Sequence, residues 1–232
     1  MRILAIETSG RDASLAALEG SSHGAARLLH ELTTTAGERT AQALAPRLTE
    51  LLREVDWPAR SIELVAVALG PGSFTGLRIG VTTAKTFAYA TGAELIGVNT
   101  LSAIAEQAPS TARPVAVVMD AQRQEFFAAT IDGQGAMSDT RIVSQSDWIV
   151  SLRPGDLVTG PGLRRLKLEL PTEVEMVEES HWRPMAAAVG TIGWRAYLAG
   201  QRDDLWKLVP WYYRQSAAEE KTKRQGDQAT RG

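Results

Sequence analysis

Two acids close apolar runs in this sequence. Glu7 follows Ile3-Leu4-Ala5-Ile6, and Asp120 follows Val115-Ala116-Val117-Val118-Met119. In an α/β fold such strand ends open on one cleft, where carboxylates can hold a hydrated Mg²⁺ against a phosphate. The local alternative is that each acid caps the turn after it. Glu7 is followed by no lysine or second acid that would complete a phosphoryl-transfer site. A second candidate is the loop Gly70-Pro71-Gly72-Ser73-Phe74-Thr75-Gly76, whose backbone N–H groups could cradle a phosphate between a strand and a helix. Together these features give Glu7, Thr8, Ser9, Gly72, Ser73, Thr75, Gly76 and Asp120 as a candidate nucleotide or phosphate set.

The loop fits none of the standard phosphate or nucleophile signatures. Gly76 is followed by Leu77 and Arg78 rather than Lys-Ser/Thr, and Thr75 stands where G-x-G-x-x-G needs its third glycine. Ser73 comes one residue too early for a nucleophile elbow. The alternative is a tight turn in which Ser73 or Thr75 caps the next helix. His23, His30 and His181 have no i, i+4 pairing, so no metal pair forms on a helix face. Cysteine is absent, which excludes disulfides, thiolate metal sites and a cysteine nucleophile. The chemistry carriers are thus few.

The elements that must position them alternate between strand and helix. Ile3–Ile6 and Ser14–Leu18, separated by Thr8-Ser9-Gly10-Arg11-Asp12, predict a hairpin. Ala41, Leu44, Leu48, Leu51, Leu52 and Val55 recur at helical steps and predict an amphipathic helix over 38–55. A buried strand follows at 64–69, then a helix over 77–91 rich in small residues, then a strand at 95–98. The unit then returns: strand 115–120 with its acid, a polar turn, and strand 125–131. This predicts an internal duplication, with domains at 1–103 and 104–215 and a late helix over 184–199, carrying Met185, Val189, Ile192 and Ala196 on one face, that could pack back on the first domain. Residues 216–232 are polar and aperiodic, and read as a flexible tail.

Composition narrows the classes. With 232 residues, 44% hydrophobic and 22% charged, the chain is neither disordered, collagen-like nor a coiled coil. It has no 18-residue apolar run, and the expectation is a cytoplasmic protein. Its net charge of −2 offers no basic field for binding nucleic acid unaided. Of its six tryptophans, Trp206 and Trp211 cluster with Tyr212 and Tyr213, either anchoring a partner or closing the core.

Several runs resemble the bacterial TsaB (YeaZ) family: Ile3-Leu4-Ala5-Ile6-Glu7-Thr8-Ser9, Leu69 through Gly80, Ile96-Gly97-Val98-Asn99-Thr100-Leu101, Met119-Asp120-Ala121 with Arg123 and Glu125, and Pro210-Trp211-Tyr212-Tyr213-Arg214. The resemblance implies an α/β protein of the actin-like ATPase (sugar kinase/actin) fold with two related domains. It also implies an accessory, non-catalytic role in threonylcarbamoylation of the adenosine beside the anticodon in tRNAs reading codons that begin with A. The implied partners are the paralogous transferase TsaD, the ATPase TsaE and, alone, a second copy, with tRNA reached only indirectly. No cofactor is implied beyond weak ATP or ADP binding. TsaD carries its metal on a His-x-x-x-His helix motif, whereas the corresponding helix here begins Glu38-Arg39-Thr40-Ala41-Gln42-Ala43. Carried over, the partner interface comprises Arg39, Thr40, Leu44, Leu48, Arg78, Val81, Thr82 and Lys85. Glu7 and Arg39 depart from the aspartate and histidine common in the family. The alternative is an independent Mg-ATP-dependent small-molecule kinase or ATPase on the same fold.

Overall fold

The computed structural model describes residues 1–21, 24–34, 38–109, 113–166 and 170–214. His23 and the tail expected at 216–232 lie outside the described residues. The chain starts with three antiparallel strands, β1 (Arg2–Glu7), β2 (Ser14–Gly20) and β3 (Ala26–Thr33). Helix α1 (Thr40–Glu54) leads to β4 (Leu64–Gly70), which lies parallel to β1. Helix α2 (Phe74–Thr91) then returns the chain to β5 (Glu94–Asn99), parallel to β4. The first sheet has the order β3-β2-β1-β4-β5.

A short helix, α3 (Thr100–Ala105), enters the second sheet. It holds β6 (Val115–Asp120), β7 (Glu125–Ile131) and β8 (Arg141–Ser144), antiparallel in turn. After helix α4 (Gln145–Ser151) come β9 (Leu157–Thr159) and β10 (Glu175–Met176), both parallel to β6. The order is β10-β9-β6-β7-β8. Each strand of the first sheet therefore has a counterpart of the same sense in the second. The duplication inferred from one hairpin extends to all five strands, with the last two reduced to three and two residues.

The central strands form because they are almost wholly apolar and buried on both faces, the pattern of a covered α/β sheet. All seven residues of β4 are buried. On one side of the first sheet, α1 and α2 cover Leu4, Ile6, Val65 and Val67 with Leu44, Leu51, Val81 and Ala84. On the other side lies the last helix, α5 (Ala186–Leu198), over Ile3, Ala5, Leu18 and Ala66. Its buried residues are Ala186, Ala188, Val189, Gly190, Gly193 and Trp194, so of the expected face Val189 is fully buried while Ile192 and Ala196 pack at the partly buried edge of the same core. Its glycines sit against the sheet: a Cβ on Gly190 would lie 2.4 Å from Leu18 Cδ1, and one on Gly193 2.6 Å from Ala66 Cβ.

Helix α5 takes its caps from the sheet beneath it. Ser14 Oγ accepts from the Ala186 amide at 2.9 Å, and Glu31 Oε1 accepts from the Ala187 amide at 2.8 Å. Such long-range caps fix the helix to β2 and β3 as well as satisfying its first amides. The second sheet keeps its own core, with Phe126, Trp148 and Trp182 among its largest members. Among the described residues, no helix is long and apolar enough to cross a membrane.

Candidate functional site

Both acid-ended strands point to one cleft between the sheets, of about 1240 Å³. Its walls are the β1–β2 turn, the glycine-rich loop, the start of α1, the β6–β7 turn and the chain's last described residues. Of the eight candidate residues, Ser9, Gly72, Ser73, Thr75, Gly76 and Asp120 line the cleft. Glu7 and Thr8 are buried behind the wall at 0% and 1% exposure.

The two acids end their strands alike but sit in different surroundings. Glu7 Oε1 accepts from the Ser9 amide at 2.6 Å, and Asp120 Oδ1 accepts from the Gln122 amide at 2.8 Å. Each thus closes the turn that follows it, as the local reading of the sequence has it. Asp120 also pairs with Arg165 at 2.9 Å on the open side. Among the described residues no cation shifts Glu7, and its Oε2 lacks a hydrogen-bond partner. Burial pushes its carboxyl up to about 7, against the pull of the amides around it. Buried behind the wall, Glu7 does not face the open space of the cleft.

The glycine-rich loop is closed down on the end of β1. A Cβ on Gly76 would lie 2.0 Å from the Thr8 carbonyl oxygen, one on Gly80 2.1 Å from Thr8 Oγ1, and one on Gly72 2.5 Å from Ser9 Cβ. On α2 the spacing of four turns Gly76 and Gly80 toward Thr8, and Gly72 in the preceding loop lies against Ser9, so loop and helix approach the end of β1 closely. Two of the loop's amides, and the one that follows, are bonded within the wall. Ser73 N donates to Ser9 O at 2.8 Å, and Leu77 N to Ser73 O at 2.8 Å. Gly76 N donates to Ser73 Oγ at 3.2 Å, so Ser73 is the helix cap. Among the described residues, no group of three or more His, Cys, Asp or Glu side chains could hold a metal ion. For the weak ATP or ADP binding that the family resemblance implies, the closed stretch at Gly72, Gly76 and Gly80 offers no open phosphate cradle.

The residues expected at a partner surface divide into three kinds. Leu44 and Val81 are 2% and 3% exposed and belong to the core under α1 and α2, which corrects their placement at an interface. The apolar stripe of α1 that carries Leu44 faces the protein's own sheet, and Leu48 packs partly against the same core. Arg39 and Thr40 stand at the mouth of the cleft. Arg78, Thr82 and Lys85 lie on the outer side of α2, where Thr82 and Arg78 are exposed.

That outer side is shared with the chain's C-terminal segment. Arg78 Nε donates to the Tyr212 hydroxyl at 3.0 Å, with its guanidinium 4.0 Å from the Phe74 ring. Lys85 Nζ donates to the carbonyl oxygens of Leu208 at 3.0 Å and Trp206 at 3.4 Å. The large apolar residues left exposed concentrate here: Tyr89 at 70%, Trp206 at 74%, Val209, Trp211 and Tyr212. The aromatic cluster in the sequence signals this surface. The pairing of that cluster with α2 has no signal there, because the two are more than a hundred residues apart in the chain.

Comparison with known proteins agrees with this architecture. Residues 34–156, just over half of the chain, match the family described as TsaD, tRNA N6-adenosine threonylcarbamoyltransferase. The chain is 27% identical over 160 residues to the tRNA threonylcarbamoyladenosine biosynthesis protein TsaB of Bacillus subtilis, covering 67% of this chain and 68% of that one. It is 34% identical over 131 residues to the TsaB of Escherichia coli, covering 56% of this chain and 54% of the relative. The structure of YeaZ from Pseudomonas aeruginosa superposes with a TM-score of 0.76 at 22% identity, over 91% of this chain and 99% of the other. At that identity the superposition speaks for the fold.

Proposed function

We propose a role that begins from kinship: the chain belongs to the TsaD family of tRNA N6-adenosine threonylcarbamoyltransferases, as one of its TsaB/YeaZ members. The role is that of a non-catalytic accessory subunit in the biosynthesis of threonylcarbamoyladenosine in tRNA. It binds the transferase TsaD through the outer sides of α1 and α2 and favours the partner's active state by binding that state more tightly. TsaE joins the larger complex, a second copy takes the same surface when the chain is alone, and tRNA is met through the partner. The place of action is the cytoplasm.

The observation that carries this reading is the closure of the glycine-rich loop on Thr8 and Ser9. A phosphate-binding loop needs its amides turned outward around an open cradle. Here the glycines allow the loop to approach β1, and the amides of Ser73, Gly76 and Leu77 bond within the wall. At the head of α1, where the transferase has its histidines, Arg39 and Ala43 stand. The exposed Arg78, Thr82 and Tyr89 leave α2 with an outward surface for a partner.

Reconstitution tests the proposal: tRNA threonylcarbamoylation by the cognate TsaD and TsaE, with and without this chain. The expected result is modification that depends on the chain, with no ATP turnover by the chain alone. Modification proceeding equally well without it, or Mg-ATP hydrolysis by the isolated chain, would replace the proposal with the kinase or ATPase alternative.

A further inference from the structure

After α5 the chain runs back across the molecule as a strap over 203–214. It is first fixed to the first sheet, where Asp203 Oδ2 accepts from the Gly97 amide at 2.7 Å and Asp203 N donates to Leu95 O at 3.1 Å. It then lies along the outer side of α2, running opposite to it. Trp206 meets Tyr89 with ring centroids 5.7 Å apart, Lys85 holds the Leu208 carbonyl, and Tyr212 packs on Phe74 at 4.6 Å. Between these, Trp211 N donates to Leu69 O at 2.7 Å.

The far end of the strap crosses to the second sheet. Tyr213 lies against Phe127 at 6.1 Å, and Arg214 Nη1 donates to the Ala121 carbonyl at 2.7 Å while its other Nη pairs with Glu125. Ala121 and Glu125 bracket Gln122-Arg123-Gln124, three successive residues with φ of 63°, 54° and 61°. Side-chain-bearing residues avoid this left-handed region, and a run of three persists only where its surroundings over-determine it. Within the second sheet the turn is held by Ala121 N to Glu125 O at 2.9 Å, Glu125 N to Gln122 O at 3.0 Å, and Gln145 N to Gln124 O at 3.0 Å. Asp120 Oδ1 adds the Gln122 amide. Arg214 contributes the hold from outside, on both flanks at once. Gln122 and Arg123 form part of the cleft wall.

We propose that this strap is a clasp that couples the outer side of α2 to the cleft. Tyr212 and Lys85 set the strap's position on α2. Two residues beyond Tyr212, Arg214 holds the left-handed turn that shapes the cleft's second wall. A macromolecule that moves Tyr212 from Arg78 also moves Arg214, and the turn relaxes. That last consequence rests on the partner reading above; the clasp itself belongs to the chain alone.

Amide hydrogen exchange on the full isolated chain tests the clasp with no partner present, so its outcome is independent of whether TsaD binds. The reporting amides are Ala121, Gln122 and Glu125, with those of β1 and β4 as the reference for global stability. Arg214→Ala is expected to speed exchange in the turn by about tenfold while the reference amides keep their protection. Tyr212→Phe, which removes only the hydroxyl that Arg78 reaches, is expected to speed the same turn amides by a smaller factor. Should Arg214→Ala loosen the whole chain, Arg214→Gln and Tyr212→Phe carry the test. Turn amides unchanged in the arginine variants would overturn the clasp. Turn amides that respond to Arg214 variants but not to Tyr212→Phe would overturn the coupling to α2.

Discussion

Replacing Glu7 with glutamine is expected to stabilise the protein above neutral pH and to leave it nearly unchanged in acid. In the folded chain burial raises this carboxyl from 4.5 to about 7. The folded state thus binds more protons than the unfolded chain between these values, and stability falls as pH rises through that window. Above it the loss is complete. A shift of that size, at about 1.4 kcal/mol per pH unit, amounts to about 3 kcal/mol. Glutamine cannot ionise, and its Oε1 still accepts from the Ser9 amide. Denaturant unfolding of both proteins at pH 4.5 and pH 8 gives the difference directly, other titrating groups such as the half-buried Glu31 cancelling in the comparison. The expected gain for Glu7→Gln is about 3 kcal/mol at pH 8 and close to zero at pH 4.5. An equal difference at the two pH values, or a variant less stable than the parent at pH 8, would refute the account of Glu7 as a carboxylate penalised by burial.

Other substitutions probe the closed loop, the core and the cap. Gly76→Ala is expected to lower stability by about 2 kcal/mol or more in thermal or denaturant unfolding, because its Cβ would meet the Thr8 carbonyl at 2.0 Å and outweigh alanine's helix preference. Leu44→Asp is expected to unfold the chain outright, seen as lost circular dichroism, since Leu44 is 2% exposed and its charge would have no partner. Thr82→Arg, on the exposed side of α2, is expected to leave the fold intact and weaken pairing with TsaD in a pull-down with purified proteins; undiminished pairing would remove Thr82 from the interface. Ser14→Ala is expected to cost about 1–2 kcal/mol in denaturant unfolding by orphaning the buried Ala186 amide, and an unchanged midpoint would show that the cap is replaceable.

The legible parts of the fold were those where burial is two-sided. Strands β1, β4, β6 and β7 and helices α1 and α2 announce themselves as unbroken apolar runs or helical stripes. Strand β3 did not, because Ala26–Thr33 lies at a sheet edge with no fully buried residue, so its sequence carries little contrast. Strands β9 and β10 are too short for any period to register. At the site, the spacing of Gly72, Gly76 and Gly80 was visible, but what they approach is decided by β1, sixty and more residues earlier. Leu44 shows the limit of a helical stripe: it says that a face is covered, not by what. Nothing in Gln122-Arg123-Gln124 reports left-handed backbone, since that conformation is imposed by the strand ends around it and by Arg214.

The return of α5 to the first sheet bears on how the chain is made. Until residue 198 has left the ribosome, the face of the first sheet carrying Ile3, Ala5, Leu18, Ala66 and Ile96 has no cover. The amino-terminal half therefore waits, apolar side open, while the second sheet is synthesised between it and its missing helix. At a synthesis rate of about 5–20 residues per second, that interval is several seconds. Residues 1–103 produced alone would keep this face permanently open, and would aggregate or recruit a chaperone. The two halves resemble one another strand for strand, yet only the chain as a whole can finish the first.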